Sequence, residues 1–241
     1  MLTRFPIFVL LAIVNFSLGN SNGQEAKLLF EDDFERRESQ EVTEELGGRW
    51  STNSEKRAHG NKQCDLNAGA MFMTRHQTAD HGVSLVHPAE YGDCRIQLRF
   101  RIDDKRDDFG IDFADTTCKE VHAGHICKVI FRPSGIEIFD FKNGRMKKTY
   151  RDAVKANKAT DEQKAAVAKW QRKFDAPVSL GKWHDAIVTI RRGEMAVELD
   201  GKHIGAFKSP GMAHPELNLI RFSARRQAGM DDVKMYSLNS K

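Results

Sequence analysis

The amino-acid sequence predicts an all-β fold, an antiparallel sandwich of two sheets. Three observations carry this reading. Residues 94–102, CRIQLRFRI, alternate without a break: Cys94, Ile96, Leu98, Phe100 and Ile102 on one side, Arg95, Gln97, Arg99 and Arg101 on the other. That is the two-residue period of a strand with one buried face. Further short apolar runs follow, separated by turn residues. The run MAVELDGKHIGAF (195–207) carries Asp200-Gly201 at its centre, a pair that tolerates positive φ and so marks a hairpin.

Taken in order, the chain opens MLTRFPIFVLLAIVNFSLGNSNGQEA. Arg4, the apolar run Phe5 to Leu18 and the small residues around Ser17 and Gly19 have the order of a secretory signal peptide over residues 1–19, with cleavage placed as late as residue 26. The run is shorter than the roughly 20 apolar residues of a membrane-spanning helix; an uncleaved anchor is the alternative. The expected mature protein is exported, periplasmic or extracellular, and off the membrane, with residues 28–238 as one domain. Hydrophobic and charged contents of 40% and 30% are those of a globular protein. The net charge of +4 is dispersed, with no basic block of the kind a nucleic-acid face requires.

Strands are expected at FGIDFAD (109–115), where Asp112 opposes Phe109, Ile111 and Phe113, and at KVIFRP (128–133), GIEIFDF (135–141) and AIVTIRR (186–192). Residues 152–174 read instead as one inserted amphipathic helix, rich in Ala, Lys, Glu and Gln. Thr160 and Gln163 have capping-box spacing, Ala166, Val167, Trp170 and Phe174 fall on one side, and Pro177 ends the segment. Four cysteines (Cys64, Cys94, Cys118, Cys127) in an exported chain lead us to expect at least one disulfide, with three complete pairings open. Four free, buried thiols are the alternative.

The densest polar segment is CKEVHAGHIC (118–127). A two-residue turn at Ala123-Gly124 puts His122 opposite His125 and Glu120 opposite Cys127, so that Glu120, His122, His125 and Cys127 share one side of a hairpin. Cys118 is then diagonal to Cys127, roughly 7–8 Å away, too far for an easy bridge. A Glu beside imidazoles suits acid–base work near neutral pH and can equally hydrogen-bond sugar hydroxyls. Zinc held by these Cys and His residues, or a purely structural role, are the other readings. A second group, Arg75, His76, Asp80 and His81 in TRHQTADHG, offers substrate-binding polarity or plain surface. Trp50, in GGRWSTNS, is either a platform for a sugar ring or a core residue. The chain has no serine elbow, phosphate-binding Gly loop, His-Glu-x-x-His or Cys-x-x-Cys pattern.

GKWHDAIVTIRRGEMAVELDGKHIGAF resembles the Gly-Lys-Trp-His, strand, Asp-Gly, strand unit of laminin-G-like and concanavalin A-like domains. MDDVKMYSL (230–238) resembles their last strand and LLFEDDFER (28–36) their first, so the likeness spans residues 28–238. The layout is most similar to the 3-keto-disaccharide hydrolase domain family of exported bacterial proteins. The resemblance implies a jelly-roll sandwich that acts on carbohydrate, hydrolysing a 3-keto glycoside; it assigns no catalytic residue, and Glu120, His122 and His125, from the reading of 118–127 above, are the acid–base candidates. A non-catalytic glycan-binding module and a structural or adhesive envelope protein are the alternatives. The Glu-x-Asp-x-x-Glu motif of retaining β-glucanases of this fold is missing. The resemblance also implies that Trp183 packs into the sandwich while His184 caps the strand or faces solvent. It sets the first strand beside the last, where Asp33 and Asp232, with Glu31, Asp32 and Asp231, could hold a structural calcium ion. The same acids could instead pair with Arg36 and Lys234 at the surface.

Overall fold

A computed structural model describes residues 26–238, so the leader reading of residues 1–19 lies outside the described residues. In chain order the strands are β1 (Lys27–Asp32), β2 (Ser51–Thr52), β3 (Cys64–Asn67), β4 (Ala70–Thr74), β5 (Val83–Tyr91), β6 (Cys94–Arg101), β7 (Phe109–Ala114) and β8 (His125–Arg132). They continue as β9 (Gly135–Asp140), β10 (Gln171–Phe174), β11 (Trp183–Arg191), β12 (Glu194–Leu199), β13 (Lys202–Lys208), β14 (Leu217–Ala224) and β15 (Gln227–Ser237). All pair antiparallel. One sheet has eight strands in the order β13-β12-β11-β6-β15-β4-β3, with β1 also on β15; the other has seven, β10-β9-β8-β7-β14-β5-β2.

The alternation of β6 is realised as read: Cys94, Ile96, Leu98 and Phe100 are buried, and the residues between them are half-buried on the other face. β7 meets it from the second sheet, with Phe109 stacked on Phe100 at 5.0 Å between centroids and 8° between planes. Phe131 of β8 closes on the same ring at 4.7 Å. Each fully buried ring contributes about 1.5–3 kcal/mol, so this aromatic layer holds the two sheets together. The β12–β13 hairpin turns at Asp200 (φ 51°) and Gly201 (φ 73°), the positive-φ pair its twist demands. The sheet edges are joined by Phe174 of β10, whose ring lies over Gly205 of β13. A Cβ there would come within 2.2 Å of that ring.

Four expectations change. Residues 152–174 are not one helix but parts of α1 (Lys148–Lys155) and α2 (Asp161–Ala168), followed by strand β10. Asn157 at φ 55° breaks the helical run, neither helix has a buried residue, and Phe174 pairs with Ile136 of β9. Sheet pairing overrides a helical preference that no apolar stripe supports. The capping box does form: Gln163 N–H donates to Thr160 Oγ1 (3.2 Å) and Thr160 N–H to Gln163 Oε1 (3.0 Å).

All four cysteines are free, so the expected disulfide is absent. Cys64, Cys94 and Cys127 are inward-facing core residues on three different strands, and burial pushes their thiols up. Trp183 and His184 exchange their expected places. His184 is buried against Phe100, bonded to Asp200 (2.7 Å) and the Ser179 carbonyl (2.9 Å), while Trp183 lies half-buried on the outside under Arg99. β1 does lie on β15, but Asp33 and Asp232 are exposed and do not gather into a group of cation ligands. A bulge in β15 between Asp231 and Lys234 puts Asp232 at φ 50° and turns both acids to Arg99, at 3.3 and 3.5 Å. The neighbouring acids pair as Asp32–Arg36 (2.6 Å) and Glu31–Lys234 (3.5 Å).

Candidate functional site

The strongest chemistry lies on the outer face of the seven-stranded sheet. Phe109, Ile111 and Phe113 face the core, so the strand period sends Asp112 outward. There it sits between Arg221 of β14 and Lys128 of β8, its direct partners across the sheet. Asp112 is nevertheless 0% exposed. An isolated carboxylate so deeply buried would lose several kcal/mol of hydration; it is kept ionised by what surrounds it. His125 Nδ1 lies 2.5 Å from Asp112 Oδ2, and Arg221 Nη1 lies 3.4 Å from Oδ1. Burial alone would raise the Asp112 carboxyl. His125, Arg221 and Lys128 outweigh it and hold the group below its ordinary value.

His125 reaches this face through a bulge. Phe113 pairs with Cys127 and Ala114 with His125, so Ile126 is an extra residue in β8. Ile126 and Cys127 both point into the core, and the parity of the strand flips between Cys127 and His125. With Nδ1 committed to Asp112, the His125 Nε2 has no protein partner among the described residues. The side chain is 18% exposed. Arg221 Nη1 also approaches His125 Nδ1 at 2.9 Å. Lys128 lies across β7 over Gly110 to donate to Ser223 Oγ at 2.7 Å, and burial pulls its ammonium down. Beside the charged row, Ile130, Phe139 and Phe141 form a small apolar cluster, with Arg145 over Phe139 (4.3 Å) and Phe141 (4.8 Å). His125 meets the Phe141 ring edge-on at 5.8 Å.

The expected hairpin at 118–127 forms only in part. Ala123 (φ 51°) and Gly124 (φ 74°) do make the turn, but residues 116–117 and 119–120 are turns themselves and only Val121 pairs, with Lys147. His122 and His125 come together, ring centroids 6.4 Å apart and 26° between planes. Burial, Arg151, His125 and Arg57 push His122 down. Glu120 is exposed with no ion pair among the described residues, and Cys127 is in the core, so the set Glu120, His122, His125 and Cys127 does not converge. The bulge at Ile126 parts His125 from Cys127, and the turn at 119–120 takes Glu120 out of any strand.

The second group also divides. Arg75 and His76 line an open depression of about 560 Å³ with Glu41, Lys62, Gln63 and Asp65. Asp80 pairs with Arg57 at 3.3 Å and is exposed. His81 is exposed, its Nδ1 3.0 Å from the Gly82 carbonyl. Trp50 is 7% exposed, donates from Nε1 to Asp32 Oδ2 (2.6 Å) and packs with Phe30, Phe34 and His87; it is a core residue and offers no sugar platform.

Among the described residues, two groups of side chains have metal-ligand spacing. Glu38, Glu41 and Asp65 converge, but the Lys62 ammonium already fills their centre at 2.6, 3.2 and 2.5 Å. Asp115, Cys118 and His214 form the other. Sequence reasoning missed Asp112, Lys128 and Arg221 as a unit. The available signal was one carboxylate in the otherwise apolar FGIDFA and one arginine in LNLIRFSA.

No family model matches the chain, and no curated protein sequence matches it. Solved structures do. A non-specific endo-β-1,3(4)-glucanase of family GH16 superposes with TM-score 0.58 at 11% identity, over 91% of this chain and 95% of its own. The laminarinase from Rhodothermus marinus gives 0.57 at 11%, over 90% and 99%. A family 66 carbohydrate-binding module from Bacillus subtilis gives 0.51 at 12%, over 81% and 97%. A sialidase matches at 0.57 and 11% identity over 90% of this chain, which spans 19% of the sialidase's length. With its two antiparallel sheets and these structural likenesses, the chain has the concanavalin A-like jelly-roll fold.

Proposed function

We propose that the protein is an exported, carbohydrate-active protein that cleaves a modified, 3-keto glycoside on the outer face of the seven-stranded sheet. The observation that carries this is the buried Asp112 bonded to Nδ1 of His125, with Arg221 and Lys128 beside it. An aspartate on Nδ1 fixes the tautomer and orientation of the ring and leaves Nε2 to exchange protons with a ligand. A ketone at C3 acidifies the neighbouring C2–H. Nε2 takes that proton, the C–H electron pair passes to the C3 oxygen as an enolate, and its return expels the leaving group from C1. Water then adds at C1 of the resulting enone, its proton going to the departing alkoxide, and the enolate that re-forms takes the proton back from Nε2 at C2. Arg221 and Lys128 supply positive charge where the enolate forms. This chemistry needs one base rather than two opposed carboxylates, which agrees with the missing Glu-x-Asp-x-x-Glu motif. Export rests on the leader-like residues 1–19.

The test is turnover of 3-keto and native disaccharides by the purified protein. Turnover of the keto substrate, falling by about 10²–10⁴-fold in His125→Gln, is the expected result. No turnover of any glycoside overturns the hydrolytic reading. A second reading, glycan binding without chemistry, is favoured by one feature: Asp112 is the single carboxylate bonded to His125. Saturable sugar binding with no product identifies that case.

A further inference from the structure

We propose that Asp115, Cys118 and His214 form a zinc site, separate from the Asp112–His125 pair and independent of the function proposed above. Asp115 follows β7 directly. The chain then turns so that Cys118 N–H donates to the Asp115 carbonyl at 3.2 Å, which folds the thiol back over the carboxylate. His214 arrives from a distant segment, after the short helical turn Pro210–Ala213, and its Nε2 stands 3.0 Å from Asp115 Oδ2. The carboxylate oxygen, the sulfur and the ring nitrogen all lie within 4.8 Å of one another. Tetrahedral zinc, with bonds of about 2.0–2.3 Å, sets such atoms about 3.3–3.8 Å apart, so closure takes a shift of about 1 Å. Cys118, half-exposed in a turn, is the group free to make it.

The donor set points to zinc rather than to a harder cation. A thiolate, a carboxylate and a neutral imidazole carry two negative charges, which balance a divalent ion. Sulfur and imidazole are ligands for zinc and its neighbours, whereas calcium collects oxygens. The carboxylate is also held as a ligand should be. Its Oδ1 accepts from Thr117 N–H (2.8 Å), Thr117 Oγ1 (2.7 Å) and Asn218 Nδ2 (3.2 Å), which leaves Oδ2 for the metal. Asp115 is 8% exposed, and the His214 side chain 10%. Three protein ligands leave the fourth position open to water or a small ligand.

One neighbour opposes the ion. Lys142 Nζ lies 3.2 Å from His214 Nδ1, where it donates when the ring carries its proton on Nε2 towards Asp115. Zinc takes the place of that Nε2 proton, the ring proton moves to Nδ1, and the Lys142 ammonium must withdraw. Cys118 loses its thiol proton in the same step, so binding releases protons and weakens as pH falls. Lys142 therefore acts as a built-in brake.

The experiment is calorimetric titration of the reduced, chelator-stripped full chain with zinc chloride near neutral pH, followed by cobalt substitution. One zinc per chain is expected, with Cys118→Ser and His214→Gln each weakening binding at least about tenfold while circular dichroism stays unchanged. Lys142→Met should tighten it. Cobalt should give a thiolate charge-transfer band in the near ultraviolet that Cys118→Ser abolishes. Absence of stoichiometric binding, or binding that neither ligand variant weakens, overturns the site. Should a ligand variant fail to fold, the opposite shift in Lys142→Met and the cobalt–thiolate band in the unmodified chain decide the matter, and the absence of both refutes it.

Discussion

Replacing Asp112 by Asn tests the electrostatic core of the outer face directly. The substitution keeps the size of the side chain and an oxygen for His125 Nδ1, but removes the charge. It also brings an amide NH₂ towards Arg221, now 3.4 Å from the carboxylate. Arg221 and Lys128 then lose their shared carboxylate, with Asp108 the remaining acid acting on Lys128; Arg221 is 15% exposed and Lys128 half-buried. Removing one partner of a buried charge group costs about 3–5 kcal/mol, a large part of the 5–15 kcal/mol by which a domain is stable. For a domain of this size that is a fall of about 6–20 °C in Tm, read by calorimetry or circular dichroism. The pH dependence supplies the control. Asp112 is held below its unfolded value, so its contribution is complete above the unfolded carboxylate pKa, about 3.9, and is lost as pH falls through the folded one. The gap between the two proteins should therefore be full at neutral pH and close in acid, where the native carboxyl becomes as neutral as the amide. A neutral-pH loss below about 1 kcal/mol would mean that Arg221 and Lys128 are satisfied without Asp112, and the reasoning fails.

Two further outcomes follow from close approaches and burial. Gly110→Ala puts a Cβ 2.4 Å from Lys128 Cε and 2.7 Å from Ser223 Oγ, so Lys128 must leave its seat across β7; a loss of about 1–3 kcal/mol in urea unfolding is expected, and an unchanged midpoint refutes the packing. Alkylation of the native, non-reduced chain should label Cys118 first. Cys64, Cys94 and Cys127 should stay unlabelled until unfolding, and comparable rates at all four positions would contradict their burial.

Period and turn chemistry were enough to read the sandwich. The strict alternation of β6, the Asp200-Gly201 hairpin and the Thr160 capping box are local signals, and each is realised because tertiary packing agrees with it. What escaped the sequence is non-local. The bulge at Ile126 leaves no mark in HIC, a stretch that would serve equally in a regular strand, yet one inserted residue reassigns the face of every side chain before it. That single step separates His125 from Cys127 and gives it Asp112 instead of Glu120. The reversal of Trp183 and His184 is of the same kind. Both residues fit either face by composition, and it is Asp200 and the Ser179 carbonyl, both outside β11, that satisfy the two ring nitrogens once His184 packs on Phe100. The helix over 152–174 failed for a third reason: helix formers without a buried stripe yield to an edge strand that has a partner.

The position of the outer-face site follows from the same physics that builds the core. β7 is central in its sheet, with β8 and β14 on either side, so its outward residues have neighbours on both flanks and little access to water. A polar residue placed there must find its partners within the sheet. Asp112 does so with one cation from each neighbouring strand and an imidazole turned in by the bulge, and it gains a low-dielectric setting in which those charges act strongly on one another. Were Asp112 only a structural pin, the bulge would be unnecessary, since Arg221 and Lys128 already flank it. The extra residue in β8 does one further thing, which is to bring His125 to the pair with its Nε2 free of protein partners. His125→Asn keeps the bulge and an amide at the place of Nδ1 for Asp112, but removes the outward Nε2. Loss of ligand chemistry in that variant, with Asp112, Arg221 and Lys128 all still present, is the result that separates a working imidazole from a passive one; chemistry that survives the substitution would assign the work to another group.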